Sequence, residues 1–285
     1  MTDALAAGTV RLADRNVPRL GYGAMRLPGP GVWGPPRDRD EALAVLRRAV
    51  ELGIRVIDTA WYYGDDVANE LIAAALRPYP DDLVLVTKLG GARRPDASWY
   101  PAVSDAELRA GCERDLRVLG LDSVPVVHLR WMGGESVDGV TFADALGTML
   151  DLRAAGKIQR IGLSNVTLEQ LEQALAVTEV ASVSNQYGPT MRDDQPVLDR
   201  CAAEGIPYLP FFPLVSGPGV SGDDRLAEVA GRYGVSPAQA AIAWLLQRSP
   251  VMLPIPGTSR VAHLEENVAA AGLRLDDKDL ALLDG

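Results

Sequence analysis

Cysteine and histidine are scarce in this chain. Its 285 residues hold two of each, Cys112 and Cys201, His128 and His263, with no CxxC pair and no His/Cys cluster. Neither a disulfide framework nor a metal centre is expected, and a reducing, cytoplasmic setting suits the composition. No uninterrupted apolar run approaches the ~18 residues of a membrane span. The N-terminus, MTDALAAGTVRL, carries an acid at Asp3 and lacks the apolar stretch of a secretory signal. Positive charge is also short: 28 Lys and Arg against 38 Asp and Glu leave a net charge of −10. Without a basic block, that balance disfavours nucleic acid and membrane partners. No GxxxxGK[ST] loop occurs. GYGAMR at 21–26 begins as GxG but has Arg26 where the third glycine of a dinucleotide fingerprint belongs.

What is present is apolar material in a regular order. Hydrophobic residues make up 47% of the chain, enough for a large core. TVRLADRNVPRLG reads as an opening β-hairpin with its turn at Asp14, Arg15 and Asn16. Short apolar runs at 20–24, 54–57, 83–88, 124–128, 158–163, 181–186, 207–211 and 252–255 then read as buried strands. Amphipathic segments at 39–52, 67–76, 104–119, 141–155, 167–176, 194–204 and 224–248 (in two pieces) separate them, and a further helix is expected at 261–270. Eight such units predict a (β/α)8 TIM barrel with the hairpin closing its bottom, as a single domain over 1–285. A doubly wound sheet is the weaker reading, for want of a Gly-rich fingerprint. Pro/Gly-rich stretches at 28–36 and 213–222 are expected as loops near the barrel mouth.

Four residues stand at or just beyond the C-terminal ends of these strands: Asp58 and Tyr63 in GIRVIDTAWYYG, Lys88 in LVLVTK and His128 in VPVVH. Each has an ordinary structural reading. Asp58 could cap a turn, Tyr63 could line a pocket, Lys88 could close a strand, and His128 could be a hydrogen-bonded core residue. Together they compose a proton-delivery set for reducing a carbonyl. Hydride arriving on carbon leaves negative charge on oxygen, and that oxygen needs a proton. Tyr63 can donate one, Lys88 is expected to lower the phenol's pKa, Asp58 to hold Lys88, and His128 to fix the carbonyl.

At these residues the chain resembles the aldo-keto reductase superfamily over nearly its whole length. GIRVIDTAWYYG, VTK and VVH match the family's motifs in order, followed by IGLSN, SNQY, FFPL and IPGTSRVAHLEEN. The resemblance implies a barrel that binds NADPH without a Rossmann domain, with NADH not excluded. It implies Tyr63 as general acid, Asp58 and Lys88 as its tuning pair, and His128 as the carbonyl-orienting residue. It assigns Ser164, Asn165 and Gln186 to the nicotinamide amide and Phe211 to the ring face, with Phe212, Pro213, Leu214 and Met25 nearby. Gly257, Thr258, Ser259, Arg260, Glu266 and Asn267 would surround the adenosine phosphate and adenine. Many relatives carry Lys at Gly257 and Arg at His263, so Arg260 is the expected 2′-phosphate ligand here.

Within this superfamily, GYGAMRLPGPGVWGPPRDRDEA, DASW and FFPL are similar to bacterial pyridoxal reductases. That implies pyridoxal, or another aromatic aldehyde, as substrate. Trp33, Trp61, Trp99 and Trp131 fall in expected mouth loops and could line a pocket for a flat ring, or simply pack. Two other functions stay open: a Schiff-base enzyme using Lys88, and an NADPH-binding sensor with little turnover. A small carbonyl compound is the expected partner, and one barrel holds every proposed group, so a monomer suffices.

Overall fold

The structure, a computed structural model, describes residues 3–211 and 224–285. The hairpin consists of β1 (Thr9–Leu12) and β2 (Arg15–Pro18), paired antiparallel with Leu12 opposite Arg15. Its turn is therefore Ala13 and Asp14, with Ala13 at φ 54°. The expected turn residues Arg15 and Asn16 instead belong to β2, where they are exposed; their polarity marks an outward edge of a strand.

The barrel follows. Strands β3 (Tyr22–Gly23), β4 (Val56–Asp58) and β5 (Val84–Arg93) pair parallel in sequence. The far end of β5 folds into an antiparallel extension with β6 (Trp99–Ala102). Strand β7 (Val124–Arg130) joins β5, and a small hairpin, β8 (Ser136–Val137) and β9 (Val140–Thr141), rises beyond it. Strands β10 (Ile158–Ser164) and β11 (Val183–Ser184) continue the parallel order. The segments 207–211 and 252–255 complete it through single bridges, Val183 to Tyr208, Gln186 to Phe211 and Tyr208 to Met252. Gly21 N donates to Pro254 O at 2.9 Å and Gly23 N to Pro256 O at 3.4 Å, which joins the last segment to β3 and closes a (β/α)8 barrel.

Helices cover the outside: α1 (Arg39–Glu51), α2 (Val67–Leu76), α3 (Asp105–Leu119), α4 (Phe142–Ala154), α5 (Leu168–Leu175), α6 (Gln195–Glu204), α7 (Asp224–Tyr233), α8 (Pro237–Arg248), α9 (Val261–Ala269) and α10 (Asp277–Asp284). Several starts are written in local sequence. Ser104, Thr141, Thr167 and Ser236 form reciprocal capping boxes with Glu107, Asp144, Gln170 and Gln239. None of the described helices is long and apolar enough to cross a membrane.

Strand alternation sorts the side chains. Val56, Val84, Val86, Val126, Leu209, Leu253 and Ile255 form one buried cluster with Leu12 and Val17 of the hairpin, so the hairpin plugs the barrel's N-terminal end. Their neighbours Ile57 and Leu85, and Val127, Leu129, Ile161 and Leu163, belong to the two clusters shared with the helices. Asp58, Lys88 and His128 stand two residues beyond Val56, Val86 and Val126, on the same interior face one layer higher. Chemistry thus begins where the apolar interior ends.

Outside the barrel wall a buried polar chain leads to the same layer. Thr59 Oγ1 donates to Asn69 Oδ1 at 2.8 Å, and Asn69 Nδ2 donates to Asp115 Oδ1 at 2.7 Å, tying α2 and α3 together. The Thr59 carbonyl accepts from Lys88 Nζ at 3.2 Å. Burial pushes the Asp115 carboxyl up to about 7, against the opposing pull of the Thr87 hydroxyl and the Asn69 amide. Because the folded value lies above the ordinary 3.8, native protein holds a proton that unfolded chain has released, and stability falls as pH rises between the two values. Asp115→Asn keeps an acceptor for Asn69 and never ionises. Its stability relative to wild type is expected to improve by about 2–3 kcal/mol, or roughly 4–12 °C in melting temperature, on going from about pH 5 to about pH 8. An offset that is the same at both pH values would contradict this.

Candidate active site

Asp58 ends β4, and Lys88 lies in the adjacent β5. Lys88 Nζ donates to Asp58 Oδ1 in an ion pair whose side chains are 2% and 4% exposed. The ammonium also lies 5.1 Å from the centroid of the Tyr63 ring. Tyr63 sits in the turn after β4, held by its N–H to Ala60 O at 3.0 Å and by Ala68 N–H to its own carbonyl at 3.1 Å. Asp58, Tyr63 and Lys88 are thus brought together in one buried site. Burial raises the Asp58 carboxyl, opposed by Lys88 and Arg130.

The expected effect of Lys88 on Tyr63 requires correction. The Tyr63 phenol is raised above its ordinary value, first by burial and then by the negative charge of Asp58, with Arg130 opposing. Lys88 is bonded to Asp58, so its charge is compensated at the phenol and burial wins. Tyr63 therefore holds its proton, as a donor must.

His128 is fully buried in β7, in register with Lys88 on one side and Gly162 on the other. Gly162 is required there: a Cβ would lie 2.2 Å from His128 Cδ2. Across this gap His128 Nε2 meets Ser182 Oγ at 2.8 Å, while Nδ1 has no hydrogen-bond partner. Burial, Lys88 and Arg130 all hold the imidazole pKa well below its ordinary value, so the ring is neutral. If Nε2 accepts the Ser182 proton, the donor left to His128 is Nδ1–H.

Ser164, Asn165, Gln186 and Phe211 gather at the ends of β10, β11 and the segment after them. Their spare hydrogen-bond capacity fits a carboxamide. Asn165 Nδ2 donates to Trp131 O at 2.6 Å, which leaves Oδ1 as an acceptor. Gln186 Nε2 meets Met191 Sδ at 3.2 Å, which leaves Oε1. Ser164 Oγ accepts from Arg130 Nη1 at 3.0 Å and keeps its own proton to donate. Asp58 Oδ2 is buried with no hydrogen-bond partner, an acceptor suited to a sugar hydroxyl. These groups are the donor and acceptor set that a nicotinamide nucleoside needs. Met25 is partly buried in the 3-10 turn Ala24–Arg26. Phe212, Pro213 and Leu214 lie outside the described residues.

The residues expected around the phosphate precede and enter α9. Tyr22 OH donates to Thr258 O at 2.6 Å and Arg260 N–H to Thr258 Oγ1 at 3.2 Å, fixing the Gly257–Ser259 turn against β3. Arg260 and Ser259 are exposed at the start of α9, where unpaired N–H groups favour an anion. One of those groups, Val261 N–H, is already taken by Glu41 Oε1 at 2.9 Å. Glu266 is exposed and Asn267 buried.

The four tryptophans divide. Trp131 is 1% exposed, edge-on to Phe142 with its indole N–H on Gly134 O at 2.9 Å. It is core, and its expected place in a substrate pocket is not supported. Trp61 packs towards α3, beneath the Arg114 guanidinium at 4.6 Å. Trp33 and Trp99 lie 5.3 and 4.0 Å from the guanidinium of Arg93, and Trp99 meets Tyr62 edge-on, as Tyr62 meets Tyr63. Arg93 also donates to Gly31 O at 2.9 Å, Val32 O at 3.0 Å and Ala97 O at 2.9 Å, stapling the 28–36 loop to the β5–β6 extension. Three residues of this site escaped the sequence reading. Arg130 was legible by period, two residues after His128; Ser182 and Arg93 carried no local signal.

Comparison with known proteins agrees with this geometry. The aldo/keto reductase family matches residues 19–285. Pyridoxine 4-dehydrogenase of Escherichia coli is 48% identical over 284 residues, covering 99% of both chains. An oxidoreductase of Schizosaccharomyces pombe is 39% identical over 99% of this chain and 90% of its own. Among solved structures, an aldo/keto reductase from Klebsiella pneumoniae in complex with NADP and acetate superposes with a TM-score of 0.79 at 29% identity, covering 97% and 94% of the two chains. With its closed barrel and its buried Asp58, Tyr63 and Lys88, this chain belongs to the aldo/keto reductase family and is an oxidoreductase.

Proposed function

We propose that this enzyme reduces the aldehyde of pyridoxal to the alcohol of pyridoxine with NADPH. The observation that carries the reaction type is the buried Lys88–Asp58 pair beside a Tyr63 that retains its proton. The likeness to a pyridoxine 4-dehydrogenase, a name that describes the same interconversion from the alcohol side, supports the substrate. Cytoplasmic location is part of the same proposal.

When bound, NADPH supplies a hydride to the carbonyl carbon. Ser164, Asn165 and Gln186 hold the carboxamide and Phe211 offers its ring face, which sets the cofactor's orientation. Tyr63 gives its phenolic proton to the carbonyl oxygen as charge develops there. The negative charge left on the Tyr63 oxygen is offset in part by the Arg130 guanidinium, which favours the ionised phenol, and water returns the proton afterwards. His128 donates a hydrogen bond that directs the carbonyl. Arg260 grips the 2′-phosphate. A Schiff base on Lys88 is disfavoured, because a lysine bonded to Asp58 stays protonated and non-nucleophilic.

Loss of absorbance in the NADPH band on adding pyridoxal tests the reading. Tyr63→Phe is expected to lower kcat by about 10²–10⁴-fold with cofactor affinity nearly unchanged. Wild-type turnover surviving in that variant would remove Tyr63 from the mechanism. Arg260→Ala is expected to weaken NADPH by about tenfold and NADH far less. Equal losses would mean that Arg260 does not read the 2′-phosphate.

A further inference from the structure

Arg130 ends β7 two residues beyond His128, on the face of the strand that carries the reactive layer. It pairs in register with Ser164, and its Nη1 donates to Ser164 Oγ at 3.0 Å. The guanidinium carbon lies 5.1 Å from the centroid of Phe211. Arg130 therefore stands beside two of the four side chains proposed to hold the nicotinamide, Ser164 and Phe211. Its charge reaches the reacting end as well. It favours the ionised forms of Asp58, Tyr62 and Tyr63 and disfavours protonation of His128.

Among the described residues Arg130 forms no ion pair. Asp58, the acid that feels its charge, is committed to Lys88. The contrast with Arg93 is informative. Arg93 is also partly buried, but it spends its donors on the three backbone carbonyls of Gly31, Val32 and Ala97. Arg130 has one hydroxyl and one ring face, and in a chain of net charge −10 it keeps an uncompensated positive charge at the catalytic end. A partly desolvated guanidinium with unspent N–H groups is a site for an oxygen anion.

We infer that Arg130 is a specificity-determining residue that binds an ionised oxygen on the ring carbon ortho to the substrate's formyl group. The class of substrate is an ortho-oxido aryl aldehyde. Pyridoxal belongs to it, because its 3-oxygen flanks the formyl group and is ionised near neutral pH. This rests on the reductase reading above. The carbonyl oxygen meets Tyr63, and the neighbouring anionic oxygen meets Arg130. The contact is present before and during hydride transfer, so it acts mainly on binding.

The test compares pyridoxal with its 3-O-methyl ether, which keeps the aldehyde and loses the anion. In wild type the ratio of kcat/KM values is expected to favour pyridoxal by at least about tenfold, mostly through KM. In Arg130→Met that preference collapses towards unity, and in Arg130→Lys it is partly retained. An equilibrium measurement runs beside it. Calorimetric binding of 4-deoxypyridoxine, which has the 3-oxygen but no reducible group, to the NADP⁺-loaded enzyme should weaken at least about tenfold in Arg130→Met. NADPH affinity and melting temperature of each variant report whether the site is intact. Equal losses on both aldehydes, with unchanged affinity for the deoxy analogue, would overturn the assignment while leaving the reductase standing. If no carbonyl compound is turned over, the reductase reading fails, and the calorimetric arm still decides whether Arg130 binds the anion.

Discussion

The buried ion pair between Lys88 and Asp58 is the interaction on which the site depends. Taking two charges out of water costs several kcal/mol per ion, and their attraction repays this only when geometry is good and the remaining donors are satisfied. Here the Lys88 ammonium bonds Asp58 and the Thr59 carbonyl, and Thr59 in turn is held through Asn69 by Asp115. A well-packed apolar pair would stabilise the barrel as well or better. The pair is explained by what it does to its neighbours. It keeps a cation fixed near the Tyr63 ring while leaving the phenol its proton.

The barrel makes that arrangement possible by separating tasks along its axis. At the N-terminal end, valines from β4, β5 and β7 pack on Leu12 and Val17 of the hairpin and exclude water from below. One layer up, the same alternation points Asp58, Lys88 and His128 inward, and Gly162 gives the imidazole room to reach Ser182. At the mouth, Arg93 binds the 28–36 loop to the β5–β6 extension between Trp33 and Trp99. Rigid strands hold the reacting groups, and a stapled loop forms the rim above them.

Much of this was legible in the sequence, for identifiable reasons. The segment 67–76 is α2 to the residue, and S/T-x-x-E/D/Q patterns mark four helix starts. The segments 207–211 and 252–255 were readable as apolar runs even though each joins the sheet by single bridges. What failed depends on tertiary contacts. Trp131 follows a strand end as Trp33 and Trp99 follow loops, yet it turns into the core against Phe142. The antiparallel extension of β5 past Lys88 is pinned by pairing with Trp99–Ala102, which no local pattern announces. The sign of the shift at Tyr63 also escaped, because the burial of the phenol is not visible in a chain of letters.

The most direct measurement is the titration of the Tyr63 phenol in protein labelled with carbon-13 at tyrosine Cζ, with the resonance assigned by Tyr63→Phe. The expected result is a resonance that stays in its protonated position up to and beyond the ordinary phenol value of ~10, because burial and Asp58 together outweigh the cations. A phenolate shift appearing well below ~9 would mean that Lys88 governs the ring despite its bond to Asp58, and would contradict the electrostatic basis of the site.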